Sequence, residues 1–410
     1  MAIGLRRSPA GAAFTWWSEA RSPVQGVLIR WPAPCDAMRA MPGIPSKLAM
    51  GFAIVLPAIA AGCLAAAPLH EPVPEQIETT LFLIGDAGEP DPREIGAPLE
   101  SLTVLAAAAP ERTLIVFLGD NVYPDGIPEE GHAEWADARR RLAAQVRAVP
   151  PGARGIFVPG NHDWGGELPF GLYSLRLQEQ AIASLAVGVG AGEGGGRDVR
   201  MLPSNGCPGP ATVDVGRLRV IAMDTQWWLH SFIVRDSSTT CVTRVGAVTA
   251  DLRRQVGTAG DGRVVVVAGH HPLMTGGEHG GYCGIAGPFR RLGGFSQDVM
   301  SAANRTMRDS LESAMRPFRP LVYAGAHDHN LQVLRGGRAV RYSLVSGAGS
   351  SAKVTCAVRL RESHYTSQHR PGFMRLDIMR DRGVLLRVYR YTDAGEGGVA
   401  YSRWLEPPAR

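Results

Sequence analysis

Five short apolar runs in this chain of 410 residues end at a glycine, and an Asp, Asn or His follows that glycine directly or after one residue. Short apolar runs of this kind are typical of buried β-strands. Open α/β folds keep their chemistry at the carboxyl ends of the strands. The pattern therefore predicts that polar groups meet at the rim of a sheet. The five blocks are Gly85-Asp86, Gly119-Asp120, Gly160-Asn161, Gly269-His270 and Gly325-Ala326-His327-Asp328-His329.

The segments between these blocks predict an α/β domain. Apolar residues recur there at helical spacing, and the C-terminal region alternates as an antiparallel meander does. Strands interleaved with helices and followed by a β-rich region indicate one α/β domain with two packed sheets. The predicted helices are His132–Val149, Leu172–Val187, Val245–Val256 and Ala302–Met315, and the predicted meander strands are Gly372–Met379, Gly383–Tyr391 and Gly398–Leu405.

The remaining motifs and the charge argue against nucleotide and nucleic-acid binding. A formal Gly-x-Gly-x-x-Gly occurs at Gly190, Gly192 and Gly195, but a dinucleotide fingerprint needs a strand before it and a helix after it. We interpret this stretch as a flexible loop. The formal charge of +5 gives a pI near 9.0, but most of the basic excess lies in the first 62 residues. Because no basic stripe remains elsewhere, we expect no nucleic-acid partner.

The N-terminal region is typical of a targeting segment. Lys47 precedes the uncharged run Leu48–Ala67, which is close to the ~20 residues that span a bilayer. Pro57 and many small residues favour a cleaved signal. The run Ala60-Ala61-Gly62-Cys63 resembles a bacterial lipoprotein signal, in which Cys63 would be lipidated and become the first mature residue. An ordinary signal peptide and a transmembrane anchor stay open as alternatives.

This interpretation divides the chain into three parts. We expect an N-terminal extension and signal or lipoprotein-type segment at residues 1–67, a linker at 68–78 and a single domain at 79–408. The protein would be exported to the periplasm or cell envelope, with possible membrane attachment through Cys63.

Cysteine usage agrees with export. Apart from Cys35 and Cys63, the chain has four cysteines, which permit two disulfides in any of three pairings. No Cys-x-x-Cys pair exists, which argues against a thiolate zinc site. The four cysteines are Cys207, Cys241, Cys283 and Cys356.

The polar groups at the strand ends suit transition-metal ions. Carboxylate, imidazole and amide oxygen together fit Fe, Zn or Mn better than Ca or Mg, which prefer oxygen alone. His327 and His329 flank Asp328, so on an extended segment both imidazoles would point the same way and one could serve each of two ions. Two ions about 3.5–4 Å apart neutralise a phosphate ester and acidify a bridging water, which then attacks in line. We expect Asp120 to bridge the two ions.

The blocks resemble those of the calcineurin-like metallophosphoesterases, and most closely those of the purple acid phosphatases, including the tartrate-resistant type. Most of the wider family opens with Asp-x-His, whereas this chain has Asp86-Ala87-Gly88. The purple acid phosphatases also lack that histidine and have a tyrosine three residues after the bridging aspartate, where Tyr123 stands here. The resemblance covers Asp86 to about Gly349.

The resemblance implies a fold, a metal centre and a reaction. The fold would be a four-layer α-β-β-α sandwich of two mixed sheets flanked by helices. A ferric ion would occupy the tyrosinate site and give the protein its colour, and ferrous iron, zinc or manganese would occupy the second site. The first ion would take Asp86, Asp120, Tyr123 and His329, and the second would take Asp120, Asn161, His270 and His327. His162 and His279 would contact the substrate and assist the leaving group.

Two positions depart from the family pattern. Ala326 replaces the glycine that usually precedes the first histidine of the last block, and a methyl group there could shift His327. His271 stands where the animal enzymes tend to have an aromatic residue, and it is either a further substrate contact or a loop histidine.

The predicted activity is hydrolysis of small phosphate monoesters, in the manner of an acid phosphatase. Metal ligands do not encode the leaving group, so a phosphodiester, nucleotide or lipid phosphate stays open as the substrate. The third alternative is a surface-anchored binding module with a vestigial site.

Overall fold

The computed structural model describes residues 73–89, 96–166, 169–188, 196–230, 241, 244–260, 262–350, 354–392 and 394–409. The predicted targeting segment with Cys63, part of the linker and the glycine motif at Gly190–Gly195 lie outside the described residues. Among the helices in the described ranges, none is both long enough and apolar enough to cross a bilayer.

Strands and helices alternate along the first part of the described chain, and only strands follow the last helix. The strands are β1 (Ile77–Ile84), β2 (Thr113–Phe117), β3 (Arg154–Phe157), β4 (Asp198–Met201), β5 (Ala211–Val215), β6 (Leu218–Ala222), β7 (Val264–Ala268), β8 (Val322–Gly325), β9 (Leu331–Arg335), β10 (Tyr342–Ser346), β11 (Ser363–Ser367), β12 (Gly372–Met379), β13 (Val384–Tyr391) and β14 (Gly397–Glu406). The α-helices are α1 (Ala97–Ala107), α2 (Trp135–Arg147), α3 (Gly171–Gly188), α4 (Gln226–Leu229), α5 (Val245–Gly257), α6 (Gly287–Arg291) and α7 (Ala302–Met315).

The strands form two mixed sheets of seven strands each. The first sheet has the order β14-β13-β12-β1-β2-β3-β4, in which β1 to β4 are parallel and the C-terminal meander adds antiparallel to β1. The second has the order β11-β9-β10-β8-β7-β6-β5, with β10, β8, β7 and β6 parallel. The parallel strands at the centre of each sheet bring their carboxyl ends to one edge.

Side-chain alternation along the strands builds four layers. On β1, Leu81 and Leu83 pack between the two sheets, whereas Phe82 and Ile84 pack against the helices. The outer face of the first sheet is covered by α1, α2 and α3, and that of the second by α5 and α7. Successive side chains of a strand point to opposite faces, so each strand contributes to two cores. The predicted four-layer α-β-β-α sandwich of two mixed sheets is confirmed.

The structure contains strands and a short helix that the sequence does not predict. Strands β4, β5, β9 and β11 are short or have half-exposed residues, so their apolar pattern is weak. β9 follows His329 and Asn330 directly, at the end of the last polar block. The segment Thr275–Gln297 contains the short helix α6.

Two disulfides resolve the open pairing of the four cysteines. Cys207 is bonded to Cys241, and Cys283 is bonded to Cys356. The second bond fastens the loop that carries His279 to the segment that follows β10.

Candidate metal centre

All seven predicted ligands lie at the carboxyl ends of five strands. Four come from the first sheet and three from the second, so the cluster spans the interface between the sheets. The first sheet supplies Asp86 after β1, Asp120 and Tyr123 after β2, and Asn161 after β3, and the second supplies His270 after β7 and both His327 and His329 between β8 and β9.

Glycine precedes these residues because the strand ends converge too closely for a side chain. A Cβ at Gly119 would lie 2.6 Å from Nδ1 of His270, and a Cβ at Gly160 would lie 2.3 Å from Oδ1 of Asp120. Both distances are well inside van der Waals contact, so only glycine fits. The glycine-led blocks of the sequence are thus a packing requirement of the cluster.

Ala326 is accommodated by a neighbouring glycine. A Cβ at Gly85 would lie 2.3 Å from the Cβ of Ala326, so the missing side chain of Gly85 makes room for that methyl group. The backbone N–H of His327 donates to Oδ2 of Asp86 at 2.9 Å. His327 is therefore tied to the cluster despite the departure from the family pattern.

Three of the clustered residues have a backbone conformation that side chains rarely adopt. The φ angles of Asp86, Asp120 and His327 are 55°, 54° and 67°. A non-glycine residue in this left-handed region costs of order 1–3 kcal/mol and persists only where its surroundings enforce it. Such strain concentrates at functional sites, in agreement with a role for this cluster.

The first pocket comprises Asp86, Asp120, Tyr123 and His329. The hydroxyl oxygen of Tyr123 lies 2.9 Å from Oδ1 of Asp86, 3.2 Å from Oδ2 of Asp120 and 3.2 Å from Nε2 of His329. One hydroxyl proton therefore faces three acceptors. Burial, followed by the charges of both carboxylates, raises the pKa of Tyr123 well above its usual value when no cation is present.

The second pocket comprises Asp120, Asn161, His270 and His327. Nε2 of His270 lies 3.0 Å from Oδ1 of Asn161, 3.1 Å from Nδ1 of His327 and 3.3 Å from Oδ2 of Asp120. Nδ1 of His270 lies 2.8 Å from the carbonyl oxygen of Leu118 and donates to it, so Nε2 is the nitrogen that would offer a lone pair to an ion once that ion displaces its proton.

Asp120 belongs to both pockets through a single atom. Its Oδ2 is the oxygen near Tyr123 and near His270, whereas Oδ1 accepts the backbone N–H of His162 at 2.9 Å. Burial alone would raise the pKa of Asp120, but the charges of His270 and His162 outweigh burial and hold the pKa well below its usual range. Asp120 is thus a carboxylate in position to bridge two ions.

The donor sets fit two metal ions. Ligand atoms around an ion at about 2.1 Å lie about 3.0–3.4 Å apart, which matches the spacing in both pockets. Burial would lower the pKa of His270, but Asp120 outweighs burial and raises the pKa to about 9. The second pocket therefore attracts a positive charge, which a cation would supply. Within the described residues, the clusters of His, Asp, Glu and Cys that could hold an ion are Asp86 with Asp120 and His329, and His270 with His271 and His327.

His271 does not fit as a ligand, although it lies near the second pocket. Its Nδ1 lies 2.9 Å from the hydroxyl of Thr225, and its Nε2 lies 2.8 Å from Oε1 of Gln297. Both ring nitrogens are thus occupied, and the side chain is fully buried. Its position indicates a structural residue that joins β7 to the loop before α7.

Each pocket has one half-exposed histidine at its rim. The ring of His162 packs on Tyr123 with centroids 4.4 Å apart, beside the first pocket. The ring of His279 packs on His327 at 3.9 Å, beside the second pocket. His162 thus lies at the first pocket and His279 at the second.

The chain matches known proteins in its structure and not in its sequence. No family model matches the sequence, and no curated protein matches it. The chain is similar to the solved structure of GAP50, described as the anchor in the inner membrane complex of Plasmodium, with 16% identity over 82% of this chain and 90% of that chain and a TM-score of 0.53.

Purple acid phosphatase PPD1 from seeds of yellow lupin (Lupinus luteus) is also similar, with 14% identity over 81% of this chain and 54% of that chain and a TM-score of 0.50. This chain thus spans about half the length of the lupin enzyme. A structure of PhoD matches with 9% identity over 80% of this chain and 68% of that chain and a TM-score of 0.48. The likeness to GAP50 and to the lupin enzyme shows the fold.

The protein has the calcineurin-like metallophosphoesterase fold. At the carboxyl edge of the two sheets the chain carries candidate metal-binding groups of His and Asp.

Two aspartates next to predicted site residues hold the backbone of the loops that form the metal centre. Asp163 is buried and accepts the backbone N–H groups of Asn121 and Gly160 at 2.8 Å each, which fixes the turns that carry Asp120 and Asn161. Asp328 is buried and accepts the backbone N–H of His279 at 3.0 Å, which ties the His279 loop to the last ligand block.

His279 has a carboxylate partner that the sequence does not predict. Oδ1 of the buried Asp298 lies 3.0 Å from Nδ1 of His279, and Arg290 lies 3.2 Å from the same oxygen. The backbone N–H of Phe295 donates to Oδ2 of Asp298 at 2.9 Å. A carboxylate on Nδ1 fixes the imidazole tautomer and leaves Nε2 for the substrate. Asp298 stands 19 residues from His279 within an irregular segment, so the sequence carries no signal for the pairing.

Proposed function

We propose that this protein is a binuclear metallophosphatase of the purple acid phosphatase type that hydrolyses small phosphate monoesters. The observation that carries the proposal is the placement of the Tyr123 hydroxyl among Asp86, Asp120 and His329, within 3.2 Å of each. A tyrosine in this place distinguishes the resembled branch from the rest of the family.

The position of the missing histidine supports the same proposal. A Cβ at Gly88 would lie 2.5 Å from the backbone carbon of Asn121 and 2.6 Å from the carbonyl oxygen of Asp120. The backbone that leads to Tyr123 thus occupies the space into which a side chain at residue 88 would project. The backbone of residues 120–122 therefore leaves no room for a histidine at residue 88 in this structure.

The two pockets would hold different ions. The first pocket offers two carboxylates and a phenol, which favour a ferric ion, and the second offers an amide oxygen and two imidazoles with the shared carboxylate, which favour a divalent ion such as Fe(II), Zn or Mn. When bound, such ions neutralise the phosphate and supply a nucleophile from water at neutral or mildly acid pH.

The residues of the chain supply binding and proton transfer. His162 and His279 would contact the phosphate oxygens from opposite sides. Water oxygen becomes bonded to phosphorus, the bond from phosphorus to the alcohol oxygen breaks, and that oxygen takes a proton. Nε2 of His279 would donate this proton, since Asp298 holds Nδ1 and stabilises the charged ring.

A non-catalytic role is the second candidate, because GAP50 is described as an anchor. The same function here would fit the predicted attachment through Cys63. Six further candidate ligands around the shared carboxylate of Asp120, with two histidines at the rim, favour catalysis over anchoring.

Spectroscopy and metal analysis test the proposal. The protein, purified without chelators, is expected to be coloured, to contain two metal ions per chain including iron, and to hydrolyse 4-nitrophenyl phosphate. A colourless protein without iron and without phosphatase activity would refute it. Phosphodiester and nucleotide substrates belong in the same assay, because preference for either would change the substrate class.

Export and lipid attachment form a separate proposal. We expect the native protein to fractionate with membranes and to incorporate a labelled fatty acid, and a Cys63→Ala variant to lose that label. A wild-type protein that is soluble, with an N-terminus other than residue 63, would show cleavage without a lipid.

A further inference from the structure

An open cavity of about 520 Å³ lies beside the first pocket. It is formed by the loop that follows Tyr123 and by the first turns of α2 and α3. Tyr123 is shared by both sites, since its hydroxyl lies in the first pocket and the residue also lines the cavity. The carbonyl oxygen of Pro124, the next lining residue, contacts Nδ1 of the rim histidine His162.

The size and the location of the cavity suit the organic part of a small substrate. Ligand sites for small molecules have volumes of about 300–1,000 Å³. The phosphate contacts proposed for His162 would leave the ester group close to Tyr123 and Pro124. A group attached to that phosphate could extend into the cavity without passing through the protein core.

Aromatic rings form one wall of the cavity. Phe170 and Tyr173 line it and are 55% and 50% exposed, so their faces are open to a ligand. Tyr173 donates its hydroxyl to Oε1 of Glu129 at 2.6 Å, which fixes the orientation of its ring. Ile127 and Leu177 add apolar surface below the rings.

The charge of the cavity is negative. Asp125, Glu129 and Glu134 line it without a guanidinium partner among the ion pairs of the described residues. Arg141 also lines it, but its guanidinium is paired with Asp137 at 2.6 Å. Carboxylates beside open aromatic faces attract an ammonium group and repel anionic substituents.

We propose that this cavity binds the alcohol part of the substrate and selects phosphate monoesters of alcohols that carry an ammonium group. This inference rests on the proposed phosphatase activity. The aromatic wall would contact the cation through its ring faces, while the carboxylates neutralise its charge.

A matched pair of substrates isolates the charge. Choline phosphate and 3,3-dimethylbutyl phosphate have the same shape and differ in the quaternary nitrogen. We expect kcat/KM to be about tenfold higher for choline phosphate. Phe170→Ala, and Glu129→Gln, which retains a group that can accept from Tyr173, should bring this ratio close to one. Phe318→Ala removes an equally exposed ring outside the cavity and should leave the ratio unchanged.

Equal kcat/KM for the two esters in the wild-type protein would overturn the proposal while the phosphatase activity stands. If no monoester is hydrolysed, calorimetry still decides, with choline and 3,3-dimethylbutanol as the ligands. Binding of choline alone that Phe170→Ala abolishes would support a cation site. Equal binding of both alcohols, or binding of neither, would refute it.

Discussion

The two pockets of the metal centre share Asp120 and differ in almost everything else. The first adds an acidic carboxyl, a phenol and one imidazole, whereas the second adds an amide and two imidazoles. The first is therefore rich in anionic oxygen and the second in neutral donors. The contrast shows how one sheet edge can prefer a more highly charged ion on one side and a softer divalent ion on the other.

Removal of the shared ligand Asp120 should empty both pockets and cause the largest loss of activity. In Asp120→Asn, the carboxylate that serves both pockets is lost, so we expect both ions to be lost and kcat/KM to fall on the order of ten-thousandfold. Metal analysis and a 4-nitrophenyl phosphate assay measure this. Asp251→Asn, on the surface of α5, is the control and should retain both ions. Full activity in Asp120→Asn would show that the metal centre does not catalyse the measured hydrolysis.

Substitution of a ligand that belongs only to the second pocket should show whether the two pockets bind their ions independently. In His327→Ala we expect loss of one ion, retention of the visible colour and a decrease in kcat/KM of about a thousandfold, because only the first pocket stays intact. His364→Ala, on β11, is the matched histidine control. If the colour disappears together with the second ion, the two pockets do not bind independently.

The rim histidine of the second pocket should affect the reaction and not the metals. His279→Ala should retain both ions and lower kcat about a hundredfold, the range for one general acid. Asp298→Asn should lower kcat less, since the imidazole stays and only its charged form loses support. A loss of metal in His279→Ala would show that the ring is a ligand or holds one in place.

The smallest effect on rate should accompany the clearest spectroscopic change. Tyr123→Phe removes the phenol oxygen and leaves three ligands in the first pocket, so we expect the colour to vanish and kcat/KM to fall only about tenfold. A visible spectrum with iron analysis measures both. Retained colour at full iron content would contradict the tyrosinate assignment.

The sequence predicts those parts of the metal centre that depend on local structure. Strand ends such as those at Asp86 and His270 follow from apolar runs that stop at glycine, and helices α5 and α7 follow from their spacing. The four-layer fold and the role of Tyr123 were predicted from the resemblance of the blocks to a known family.

The remaining parts depend on long-range pairing that no local pattern encodes. The partnership of His279 with Asp298, the link of His271 to Gln297 and the pairing of Cys283 with Cys356 arise only when distant segments meet. Edge strands such as β4 are defined by their neighbour in the sheet, and not by their own composition.

The division of the ligands between the two sheets has a consequence for the order of assembly. Each pocket takes donors from both sheets, so neither sheet alone holds the complete donor set of either pocket. Loading must follow closure of the sandwich, in contrast to small zinc modules whose metal drives their folding. A chain that crosses a membrane unfolded would acquire its ions only at its destination, from whatever cations that compartment offers.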